Sequence, residues 1–221
     1  MSWAPLLLSF EVAAAATLVA GALGIGLGWA LARGRFVGRE LVDVLVTAPM
    51  VLPPTVLGYY VLVALGRSSP LGQVFEDITG SSIVFTKTGA IVAATIGALP
   101  LITKAARAAI EGVDPDVVAA AQTLGAGPLR IFLKILLPLS AGGVLAGLSL
   151  GFARALGDFG VTLMVAGNIP GLTQTGALAI YDAVAANHDA EAAGMAAVMT
   201  AAAMTVLYVA NRLGRRGRED G

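Results

Sequence analysis

Arg154 and Asp158 stand at the end of an apolar run that otherwise holds no ionisable group. They are four residues apart, the spacing at which an acid and a base on a helix can pair. A charge at the centre of a bilayer costs on the order of 2.5–3.5 kcal/mol on insertion scales, so such a pair must face protein or water. Gly143, Gly147 and Gly151 precede it at four-residue intervals. On a regular helix the three glycines and both charges fall within about 80° of one another. Two roles fit: a structural ion pair at the outer end of a span, or a lining element of an anion route or its gate. Asp158 alone would repel an anion, which counts against a simple anion-binding ring.

Leu52-Pro53-Pro54 interrupts another apolar run. Each proline removes a backbone donor and clashes with the preceding turn, so a helix there must kink or break. Inside a membrane the freed carbonyls need protein neighbours or a water-lined cavity. Pro53 and Pro54 are therefore candidates for a hinge on a pathway, and equally for a packing kink.

Other chemistries find little support. The chain has no cysteine, which removes disulfides, thiolate metal sites and thiol catalysis. Its single histidine, His188, does not make a histidine-built metal or acid–base centre, so no metal or cofactor is expected. Ser149 and His188 are candidates for a serine hydrolase, but His188 falls in a surface loop outside the span and no oxyanion-hole signature accompanies them. No G-x-x-x-x-G-K-[ST] phosphate loop occurs, so the chain is not expected to be an ATPase.

The elements that must position these residues are membrane spans. The 221 residues are 57% hydrophobic and 13% charged, against about 25% charged in soluble domains. With a mean hydropathy of +0.84, this is a membrane protein. Its formal net charge of +0 offers nothing to nucleic acid. A hydrocarbon core of ~30 Å needs ~20 apolar residues as helix, and a spanning segment must satisfy its own backbone. Five runs qualify: 12–32, 44–66, 88–103, 135–153 and 192–211. The third is short, but Lys87 and Lys104 can snorkel to the interfaces. The first is not read as a signal peptide despite Ala30-Leu31-Ala32, because Glu11 rather than a cation precedes it and it is too long. The expected fold is an all-α, single-domain membrane protein over 1–221 with five transmembrane helices.

Cations orient the spans. Arg33, Arg35 and Arg39, then Lys104, Arg107, Arg130 and Lys134, then Arg212, Arg215, Arg216 and Arg218 fall on one side. Arg67 and Lys87 fall on the other. The positive-inside rule puts the N-terminus outside and the C-terminus in the cytosol. Residues 67–86 become an external connection, 173–186 a short helix outside or half-embedded, and 112–138 a cytosolic segment. In that segment Asp114 suits an N-cap, Pro115 the first helical position and Asp116 the positive dipole end. Gly125-Ala126-Gly127-Pro128 ends the helix, and Gly125 suits a positive φ.

The spacing Ala119-Ala120-Ala121, Gly125, Ile135, Leu137, Pro138 resembles the EAA loop of ABC importer permeases, the helix–turn–helix that docks on the ATPase subunit. Further stretches resemble molybdate ABC transporter permease subunits, in order from about residue 40 to the last span. They are Val51-Leu52-Pro53-Pro54-Thr55-Val56-Leu57-Gly58-Tyr59, Glu111-Gly112-Val113-Asp114, Thr123-Leu124-Gly125-Ala126, Phe152-Ala153-Arg154-Ala155-Leu156-Gly157-Asp158-Phe159-Gly160 and Asn168-Ile169-Pro170-Gly171. The Arg154 block narrows the likeness to oxyanion permeases, sulfate and tungstate relatives included, and Asn-Ile-Pro-Gly favours molybdate. The resemblance implies the type I importer permease fold and a multi-pass place in a bacterial or archaeal inner membrane, in contact with lipid. It also implies a second permease copy as a homodimer, two ABC ATPase subunits, and a periplasmic or extracellular oxyanion-binding protein. A cytosolic regulatory domain, carried by some relatives, is not expected after the last span.

Two residues depart from the family pattern: Ala119 stands where Glu is usual, and Asp158 where Glu is usual. The rival class, a secondary oxyanion transporter or channel, needs coupling-ion or selectivity groups in the membrane. Only Arg154 and Asp158 qualify, and no repeated halves are visible.

Overall fold

The structure, a computed structural model, describes residues 3–34 and 36–219, with the backbone alone for 211 and 213–219. Arg35 and the side chains of Arg215, Arg216 and Arg218, part of the predicted cation pattern, lie outside the described residues. Every regular element among the described residues is helical. In chain order they are α1 (Ala4–Arg33), α2 (Arg39–Val51), α3 (Pro54–Leu65), α4 (Pro70–Thr79), α5 (Lys87–Glu111) and α6 (Pro115–Thr123). Then follow α7 (Pro128–Ile131), a π-helical stretch (Phe132–Leu136), α8 (Leu137–Leu139), α9 (Ala141–Leu156), α10 (Gly160–Ala166), α11 (Gly176–Ala185) and α12 (Asp189–Glu219).

α5 is the axis of the bundle. Small residues on its neighbours let backbones close on it. A Cβ on Gly24 would lie 3.0 Å from Ile102, and one on Gly28 would lie 2.9 Å from the Ala106 Cβ and 3.0 Å from the Arg107 nitrogen. These contacts run α1 parallel to α5. The other flank is α9, antiparallel: Gly143 faces Ala109, Gly147 faces Ala105, and Gly151 faces Ile102. The glycine face of α9 thus packs inside the chain. The core that results holds Ala16, Ala20, Ala94, Ala98, Ile102 and Leu156 with Met195 and Met199 of α12.

Ion pairs mark both ends of the bundle. Lys87 pairs with Glu11, joining the starts of α5 and α1. At the opposite end Asp43 takes Lys104 at 2.6 Å and Arg107 at 3.0 Å, while Glu111 takes Arg107 at 2.8 Å and Arg39 at 3.8 Å. Arg33 closes the end of α1 by donating to the carbonyls of Ile110 and Val113. Between Lys87 and Lys104 α5 carries no charge.

Among the described residues three helices are long and apolar enough to cross a membrane: α1, α5, and α12 over Asp189–Ala210. The third predicted span, 88–103, is the first part of α5, whose helix begins at Lys87 and runs on to Glu111. The other two predicted spans are not straight. Run 44–66 breaks between α2 and α3, and the chain turns by 119°. Leu52 and Pro53 each precede a proline, and steric conflict with the proline ring drives such residues out of the helical region. Both are extended, at ψ 139° and 135°. Two successive extended residues make the interruption a break, the stronger of the two outcomes expected.

Run 135–153 bends by 77° at Ser140, so that Pro128–Leu139 leaves the line of α9. Pro138 lacks an N–H, and the Ser140 hydroxyl donates to the Leu136 carbonyl at 2.6 Å, back-bonding of the kind that bends helices. Two helices were missed: α10 follows the fourth predicted span, and α4 lies within the predicted 67–86 connection. Ser69 accepts from Gly72 N–H at its start, Pro70 holds its first position, and Gly80 at φ +69° ends it. Those are ordinary start and stop signals. α11 falls inside the predicted 173–186 helix.

Glycine at the α1–α5 contact is required for space. Gly28→Ala should destabilise the protein by about 1–3 kcal/mol through overpacking. Gly26, where a Cβ meets nothing within 4 Å, should accept Ala without loss. Thermal unfolding in detergent of the two variants beside the parent checks the contrast.

Candidate functional site

Two stretches singled out by sequence converge in one place. α9 ends at Leu156 with Gly157 as its cap, so Asp158 lies beyond the helix and not on its glycine face as predicted. The pair forms nonetheless: Arg154 Nη1 donates to Asp158 Oδ1 at 2.9 Å. The other carboxylate oxygen, Oδ2, accepts from the Thr162 backbone N–H at 3.0 Å and its hydroxyl at 2.7 Å. Asp158 therefore ties the end of α9 to the first turn of α10. Gly97 on α5 sits opposite, where a Cβ would lie 3.5 Å from the Arg154 guanidinium carbon and 3.6 Å from Asp158 Oδ1.

The α2–α3 break joins this cluster. A Cβ on Gly160 would lie 2.6 Å from the Pro54 Cβ, and one on Gly58 would lie 2.7 Å from Met164. α3 packs along α10 through Leu57, Val61, Val161 and Val165. Arg154, Asp158 and Gly97 thus meet just past the end of α9, and Pro54 packs two residues further on, against Gly160, with Pro53 forming the α2–α3 interruption itself. Thr162 and Gly97 were not foreseen. Thr162 lies four residues past Asp158, a spacing that hinted at it; Gly97 is distant in sequence, and no local signal marks it.

The second region is the segment 112–138. Asp114 accepts from Asp116 N–H at 2.8 Å and opens α6, with Pro115 in its first turn, as predicted. Gly125 ends the turn at φ +79°, a conformation that L side chains resist. Ala121 is buried, while Ala119, Ala120 and Gly125 are exposed. Ile135 and Leu137 are half-buried and Pro138 is exposed. Ala121, Ile131 and Leu136 pack with Ile110 and Val113 into a small core of their own. Trp29 stacks on Phe132 with ring centroids 4.5 Å apart, fixing the segment to the end of α1. Leu124, 87% exposed, stands out from the turn, with Val117, Leu129 and Leu133 exposed near it. A cavity of about 760 Å³ lies beneath α6, lined by Trp29, Arg33, Val118, Ala119, Gln122 and Leu136 among others.

The hydrolase candidates are not assembled. Ser149 is buried in α9 and donates to the Ala146 carbonyl of its own helix. His188 is exposed in the α11–α12 connection, as the sequence suggested.

Residues 22–216 match a family described as binding-protein-dependent transport system inner membrane component. The chain is similar to the molybdenum transport system permease protein ModB of Escherichia coli K12, 40% identical over 98% of this chain and 95% of that protein. It is also similar, at 32% identity over 91% of this chain and 74% of the other, to the sulfate transport system permease protein CysT of Salmonella typhimurium. Among solved structures it superposes on the permease of a bacterial alginate ABC transporter in complex with a pentasaccharide-bound periplasmic protein. There the TM-score is 0.76, with 16% identity over 96% of this chain and 78% of that one.

Asp158 is the more critical member of the ion pair. Asp158→Leu leaves the buried Thr162 N–H and hydroxyl without their acceptor and Arg154 without its partner, and should cost about 1–3 kcal/mol. Arg154→Leu leaves Asp158 with both Thr162 donors and should cost less. Thermal stability of the two purified variants in detergent should show that order.

Proposed function

The chain belongs to the family of binding-protein-dependent transport system inner membrane components, and from that premise we propose that it is the permease subunit of an ATP-driven molybdate importer. It is a multi-pass inner-membrane protein. What carries the assignment of molybdate is the likeness to molybdenum permeases along nearly the whole chain, higher than the likeness to the sulfate permease. Tungstate, a dianion of nearly the same size, should compete, and discrimination is left to the external binding protein that delivers the anion. ATP hydrolysis belongs to separate ATPase subunits, since this sequence has no phosphate loop. Two such subunits and a second permease copy complete the proposed complex.

Sidedness follows from charge. Arg33, Arg39, Lys104 and Arg107 gather at one end of the bundle and Lys87 stands at the other. The cation-rich end is assigned to the cytosol, the N-terminus to the outside and the C-terminus to the cytosol. The segment 112–138 then lies in the cytosol and serves as the ATPase-docking loop. Its exposed turn at Gly125 and the apolar side chains Val117, Leu124, Leu129 and Leu133 support that role. Ala119 supplies no carboxylate to the contact, so apolar burial and the shape of the turn must carry it.

In vesicles holding the permease, its ATPase and the binding protein, molybdate uptake should require ATP and all three components. Uptake without the ATPase, driven by an ion gradient, would instead make this a secondary transporter. Single cysteines replacing Gln73, Gly125 and His188 should report sidedness. The second should react with impermeant reagents only from the cytosolic face, and the other two only from outside. Gly125→Asp should insert normally, lose the ATPase on purification, and take up almost no molybdate. An intact, active complex in that variant would remove the docking role from this loop.

A further inference from the structure

Building on the importer function, we propose that Arg154 is the residue the oxyanion meets inside the membrane. Asp158 and Thr162 act as positioning residues that turn the free edge of its guanidinium into a water-filled route.

Depth is the first consideration. Arg154 lies against Gly97, which sits between Lys87 and Lys104, the charged ends of the apolar part of α5. At a rise of 1.5 Å per residue Gly97 is about 15 Å from the first and about 10 Å from the second. The guanidinium therefore lies within the hydrocarbon layer.

Orientation is the second. The two charges are not equally hidden: the Asp158 side chain is 1% exposed and that of Arg154 is 36%. Both oxygens of Asp158 are occupied inward, Oδ1 by Arg154 and Oδ2 by Thr162. Arg154 uses Nη1 alone, and among the described residues Nε and Nη2 have no hydrogen-bond partner. The pair is neutral in sum, yet the end it presents is positive. This removes the objection that Asp158 would repel an anion. Lipid does not cover this surface: bare guanidinium donors in hydrocarbon are too costly. The extended backbone at Leu52 and Pro53 beside it likewise needs protein or water.

Chemistry is the third. A guanidinium presents planar, forked N–H donors that match a tetrahedral oxyanion better than an ammonium does. Asp158 weakens what would otherwise be a strong site. A transported ion must bind well enough to enter and loosely enough to leave. A buried counter-charge behind an exposed cation meets both needs.

Because the protein has no cysteine, Arg154→Cys introduces one thiol. In the reconstituted complex of permease, ATPase and binding protein, this variant should assemble while uptake falls about tenfold or more, as loss of a charge-assisted contact implies. Aminoethyl methanethiosulfonate, which restores an ammonium, should recover much of the uptake. Methyl methanethiosulfonate, which adds bulk without charge, should recover none. Arg154→Gln, which keeps a hydrogen bond to Asp158, should also assemble and lose uptake to the same extent. Full uptake in either variant, equal recovery with both reagents, a thiol that does not react in the assembled complex, or failure of both variants to assemble would overturn the proposal. The last two would make the pair a sealed structural contact. Absence of molybdate uptake by the unmodified complex would count against the importer function itself.

Discussion

Hydrocarbon gives a membrane helix no reward for hiding one apolar side chain behind another, so this bundle depends on how closely its helices can approach α5. Contact replaces hydrophobic burial as the source of cohesion. α1 and α9 bring glycine to the contact, and α5 answers with alanine, isoleucine and threonine. The outcome is visible in burial: 61% of the apolar stretch of α5 is inside the protein, against 11% for α12. With α5 fixed, its two charged ends set the limits of the apolar layer, and everything else is placed by what it touches between them.

Within that layer the chain is irregular where chemistry is needed. α2–α3 and α9–α10 are interrupted at neighbouring points, Pro54 against Gly160. A break within hydrocarbon is tolerable only beside protein or water, so the two breaks share one environment. The Arg154–Asp158 pair occupies it, and Asp158 stitches across one of the breaks through Thr162. Far from it, the segment 112–138 is held as a separate small unit by the Trp29–Phe132 stack and by Arg33 on the Ile110 and Val113 carbonyls. α5 and α9 both run from one region toward the other.

Much of this was legible in sequence where a local rule governs. Asp114-Pro115-Asp116 begins a helix and Gly125 turns left-handed because capping and positive φ depend on a few adjacent residues. The prolines at 53 and 54 announced an interruption, though hydropathy alone drew a single span across it. The 77° bend at Ser140 needed Pro138 and the hydroxyl of Ser140 to act together, and no apolar count registers that. α4 was lost because a short helix with good caps lay in a stretch defined only as connection. The partnership of Arg154 with Gly97 belongs to tertiary packing. The helical periodicity that placed Asp158 on the face of α9 stopped at Gly157, one residue too soon.

As proposed, this chain couples ATP hydrolysis on one side of the membrane to an oxyanion delivered on the other. The most direct measurement is the ATPase rate of the purified permease–ATPase complex in lipid as binding protein is added with and without molybdate. The account predicts a clear rise with molybdate-loaded binding protein and little change with molybdate alone. A rate indifferent to the loaded binding protein would contradict it.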